Sequence, residues 1–107
     1  MTTESMLEEL LDKSYYFIKN TFRRKIPAVA RALDRHAPVE INGETYTYWN
    51  ELVCVETAGI INRSCPEISV EVELDGNNSR IVFPDITDEQ IRRMTSVVYP
   101  MIREWRS

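Results

Sequence analysis

Glycine is scarce in this chain: its three glycines, Gly43, Gly59 and Gly76, stand far apart. No glycine-rich loop is therefore available to cradle a phosphate. Histidine occurs once, at His36, and cysteine twice, at Cys54 and Cys65. Three such residues fall short of a four-ligand zinc set, and a lone histidine at the end of a basic helix supplies no base beside a placed nucleophile. Glu71 and Glu73 are two positions apart on an exposed strand, which offers no enclosed pocket to shift a carboxyl pKa. The expectation is a protein that is not an enzyme and carries no metal or cofactor.

Long hydrophobic runs are missing as well. No stretch approaches the ~20 apolar residues of a membrane span, and Glu8, Glu9, Asp12, Lys13 and Lys19 interrupt every early run that a signal sequence would need. A soluble, cytoplasmic protein with two buried thiols is expected, and no disulfide is required. With 107 residues, five prolines and no low-complexity segment, residues 1–107 read as a single domain with one modest core.

Charge is present in blocks. Residues 1–12 carry four acidic groups and no basic one, residues 13–36 seven basic against one acidic, residues 37–91 two basic against eleven acidic, and residues 92–107 four basic against one acidic. This pattern bears on which partners the surface accepts more than on the fold.

Apolar residues Leu7, Leu10, Leu11, Ile18 and Phe22 recur at helical spacing, which predicts a first helix over 3–22 capped by Thr2 or Thr3. Pro27 forbids its undisturbed continuation, so a break between Phe22 and Ile26 and a second, shorter helix to about Arg35 are expected. Asn42-Gly43 between β-formers signals a first hairpin. Residues 49–58 are ambiguous, with a short helix capped by Thr47 and ended by Gly59 preferred over a strand.

From Glu67 to Asp75 the apolar residues Ile68, Val70, Val72 and Leu74 alternate with polar ones, the pattern of a half-buried strand. Arg80–Phe83 supplies its partner across the turn at Asp75–Asn78, making a second hairpin. Thr87 and Gln90 form a capping box, with Ile86 and Ile91 as its hydrophobic staple. A final helix follows on the stripe Ile91, Met94, Val98, Met101, Ile102 and Trp105, either kinked or split at Pro100. The fold class is α+β: a small antiparallel sheet of two hairpins packed against N-terminal and C-terminal helices.

Three features are candidates for function. The outward carboxylates Glu67, Glu71, Glu73 and Asp75, joined by Glu40 and Glu44, offer an acidic face to a basic protein surface. Arg24, Arg31 and Arg35 fall on one side of a helix if one helix spans them, and form the alternative basic patch for nucleic acid. Of the adjacent aromatics Tyr15, Tyr16 and Phe17, at least one of the tyrosines must sit at a boundary or an interface.

The reading these residues favour is a non-catalytic protein-binding inhibitor or adaptor of the immunity or phage and plasmid counter-defence type, with a basic nucleic-acid-binding enzyme as partner. The alternatives are a nucleic-acid-associated regulator using the basic helix 23–35 and a homo-oligomeric structural or chaperone-like subunit. A homodimer is expected for the nucleic-acid-associated regulator, and the exposed strand edges leave edge-to-edge pairing open to the protein in general.

Overall fold

The structure, a computed structural model, describes residues 2–105. Helix α1 runs over Thr3–Lys25, with the Thr2 hydroxyl accepting the Ser5 N–H at its start and Arg23, Arg24 and Lys25 at its negative end. It stops at Ile26, one residue before a proline. The Pro27 ring pushes the preceding residue out of the helical region, to φ −136° and ψ 70°, and the same proline then opens helix α2, Pro27–Asp34, from its first position.

Strands β1 (Val39–Ile41) and β2 (Glu44–Tyr46) pair antiparallel across Asn42-Gly43, where both residues take positive φ, 52° and 84°. Helix α3, Trp49–Ser64, comes next. Glu51 accepts the backbone N–H groups of Thr47 and Tyr48 at 2.9 and 3.0 Å, satisfying donors that the first turn leaves open. The helix thus starts at Trp49 as expected but is capped at Tyr48, and it runs straight through Gly59. An interior glycine costs about 1 kcal/mol; burial of Ile60 and Ile61, at 2% and 0% exposure, outweighs it. The end comes at Cys65, whose φ −134° and ψ 69° before Pro66 repeat the geometry of Ile26 before Pro27.

Strands β3 (Glu71–Glu73) and β4 (Arg80–Val82) form the second hairpin, joined through a 3-10 turn over Gly76–Asn78. The α+β class stands. The two hairpins remain two separate two-stranded sheets, packed on α2 and α3 in one case and on α3 in the other. Helix α4, Asp88–Arg103, opens on the Thr87–Gln90 capping box, with reciprocal hydrogen bonds of 3.0 and 3.2 Å. It is one helix that contains Pro100, not two that meet there.

The core lies where α3 is enclosed by α1 and α4. Half of α3's sixteen residues are buried, over a broad arc of the helix, which marks it as the central element. From α1 come Leu10, Ile18 and Phe22; from α4 come Ile91, Met94, Val98 and Ile102. Met101, expected in this stripe, is 51% exposed, because the other four residues already fill the face turned to the core. The first and last helices run parallel: Thr3 hydrogen-bonds Asp88 at one end, and the Phe22 and Trp105 rings meet at the other. Among the described residues no helix is long and apolar enough to cross a membrane.

Candidate functional site

The acidic residues occupy one hairpin and its approach. Glu67 lies in the turn between α3 and β3, where its carboxylate accepts a hydrogen bond from Arg93 at 2.6 Å. Glu71 and Glu73 are the two ends of β3, both exposed. Across the hairpin, Arg80 stands opposite Glu73 and donates its Nε–H to that carboxylate at 2.7 Å. Asp75 is held through its backbone, its N–H donating to the Ser79 hydroxyl at 2.8 Å and its carbonyl accepting from Asn78 at 2.9 Å.

Two of the four carboxylates are therefore compensated within the chain, while Glu71 and Asp75 have no ion pair among the described residues. Glu40 and Glu44 belong to the other hairpin and are also exposed. Ion pairs as exposed as these are worth about 0–1 kcal/mol, so they temper the local field without removing it.

Leu74 departs from the alternation. The ladder ends at Glu73, the chain turns, and Leu74 comes to the surface at 56% exposure between two acidic residues. Strict alternation places it inward, and only the early end of β3 reveals it as a surface group.

The basic candidates are divided by the break at Ile26. Arg24 sits in the last turn of α1, Arg31 in α2 and Arg35 at the α2 C-cap; all three are exposed, on two helices instead of one face. Their neighbour Arg23 is engaged internally. Its two terminal nitrogens donate to the Asp34 carboxylate at 2.8 Å each, and the Trp49 indole N–H donates to the same carboxylate at 2.9 Å, so one aspartate ties α1, α2 and α3 together. Lys19 and Arg23 lie over the Trp49 ring at 5.5 and 5.8 Å, and Lys19 is 5.4 Å from the Tyr15 ring. Of the adjacent tyrosines, Tyr16 is the outward one, at 69% exposure. His36, at φ 56°, rests against the Tyr48 ring at 4.7 Å.

Cys54 and Cys65 are free and buried, and burial pushes both thiols up, so they stay protonated at neutral pH. Asp34 moves the other way: the Arg23 guanidinium, then the Trp49 N–H, hold its carboxyl below its ordinary value of 3.8. A carboxyl lowered by folding stabilises the native state above that ordinary value and loses its contribution as pH falls toward the folded one. Accordingly, the denaturation midpoint of wild type is expected to drop more steeply in acid than that of Asp34→Asn. Equal slopes in a pH series of urea titrations would disprove the role given to this carboxylate.

Comparison with known protein families, curated proteins and solved structures finds no match to this chain.

Proposed function

We propose that this protein is a non-catalytic inhibitor or adaptor that docks the acidic β3–β4 hairpin onto a basic surface of another protein. The observation that carries the proposal is the grouping of Leu74, an exposed apolar side chain, with Glu71 and Asp75, two carboxylates that have no ion pair among the described residues. An apolar anchor with charge around it has the form of an interface centre, where burial supplies affinity and complementary charge supplies orientation and on-rate. The substrate groove of a nucleic-acid-binding enzyme is a basic surface of this kind. An immunity-type or counter-defence protein acting in the cytoplasm is the biological setting that fits.

Tagged wild type, Glu71→Lys/Asp75→Lys and Arg31→Glu/Arg35→Glu are compared for capture from nuclease-treated cell extract at two salt concentrations. Glu71 and Asp75 are chosen because their replacement breaks no ion pair in the hairpin. A stoichiometric protein retained by wild type and by the arginine variant, weakened by about tenfold or more in the acidic variant and by added salt, is the expected outcome. Capture of nucleic acid in samples without nuclease, lost only with Arg31→Glu/Arg35→Glu, would overturn the proposal in favour of the basic patch.

A further inference from the structure

Between α1 and β4, floored by α3, lies an open cleft of about 240 Å³. Leu11 and Tyr15 contribute from α1, Val53 and Cys54 from α3, and Ile81 from β4. Its width is set by Asn50. That side chain donates to the Asn77 and Ser79 carbonyls at 2.8 and 2.6 Å, which fastens the start of β4 to α3 and leaves α1 standing apart from the hairpin. Thr57 lies in the same lining with its hydroxyl buried and without a hydrogen-bond partner among the described residues, a defect that packing within the chain leaves uncorrected.

Size and charge indicate the occupant. Pockets for small molecules usually begin at about 300 Å³, whereas a single large side chain needs less. The lining is mostly apolar, and the floor is uncharged because burial keeps the Cys54 thiol protonated. Around it the balance is negative. Among the described residues Asp12, on the α1 side, has no ion pair, and the one cation in the lining, Arg80, is matched by Glu73; Asp75 is tied by its backbone to Ser79 beside the cleft.

We infer that this cleft receives one large apolar side chain of a partner segment, flanked by lysine or arginine residues that meet Asp12 and Asp75. The inference rests on the docking role proposed above and adds the chemistry of the segment that is bound. Leu74, among the hairpin carboxylates, and the cleft then act as two separate apolar contacts.

Isotope-labelled protein is titrated with two synthetic peptides, a phenylalanine between pairs of lysines and the same peptide with alanine at the centre, and followed by amide chemical shifts. The phenylalanine peptide is expected to move Leu11, Val53 and Ile81 together with residues 71–75, and to bind about tenfold tighter than the alanine peptide. Leu11→Trp, which fills the cleft, is expected to remove that difference; Asp12→Lys, which leaves the cleft open, weakens both peptides alike. Equal affinity of the two peptides with shifts confined to residues 71–75 overturns the cleft while leaving docking through the hairpin intact. No shift with either peptide also overturns it, and the capture experiment then decides the docking role independently.

Discussion

Phe22→Ala is expected to lower the stability of this protein by about 3–5 kcal/mol, the range for removing a buried aromatic ring. Phe22 is 1% exposed, at the last turn of α1 before the chain breaks. Its ring centroid lies 6.4 Å from Trp49 in an edge arrangement and 5.3 Å from Trp105, so a single side chain joins α1 to α3 and to the end of α4. Aromatic pairs of this kind add about 0.5–1.5 kcal/mol beyond the burial of area. Domains of this size are held by about 5–15 kcal/mol in total, so the loss is a large share of the whole.

Circular dichroism during urea titration measures it without relying on the two tryptophans that the substitution disturbs. Tyr16→Ala, on the outward face of the same helix at 69% exposure, serves as the control and is expected to change stability by no more than about 0.5 kcal/mol. Equal effects at the two positions would refute the placement of α1.

Pro100→Ala is expected to act in the opposite direction. Proline inside a helix lacks the amide donor and crowds the carbonyl four residues earlier, here that of Ser96, at a cost of about 3 kcal/mol relative to alanine. Pro100 is exposed and fills no part of the core, so alanine sacrifices no packing. The carbonyl of residue 100 still accepts the Glu104 N–H, at 3.1 Å in the present chain. Against the gain stands the freer unfolded chain, which takes back about 0.4–1 kcal/mol. A net stabilisation of about 1–3 kcal/mol follows, read as a higher denaturation midpoint with an unchanged slope. A lower midpoint would mean that the proline shapes α4 in a way the core requires.

What the sequence made legible is local. Thr87 and Gln90 lie three residues apart, Asn42 and Gly43 are adjacent, and Pro27 acts on the residue directly before it; each signal works through bonds within one turn, and each is found where the sequence places it. The passage of α3 through Gly59 was hidden, because the compensation comes from Ile60 and Ile61 packing against helices distant in sequence. Periodicity assigned Met101 and Leu74 to the interior, but it gives direction only while an element lasts and only while there is room in the core.

The acidic surface was legible as a row of carboxylates, though not which of them are balanced. The Glu67–Arg93 pair spans 26 residues and the Arg23–Asp34–Trp49 cluster joins three helices, contacts that exist only once the chain is packed. The cleft between α1 and β4 is likewise a product of assembly, since it depends on where Asn50 fastens a strand that begins thirty positions later.

The parallel course of α1 and α4 bears on how the chain reaches its native state. Antiparallel neighbours are joined by a short turn and can pair early, whereas Thr3 meets Asp88 only after a separation of 85 residues has been closed. Contacts so distant slow folding, because chain entropy must be given up before they contribute. During synthesis the apolar face of α1, with Leu10, Ile18 and Phe22, waits without its final neighbour until Asp88–Arg103 has emerged.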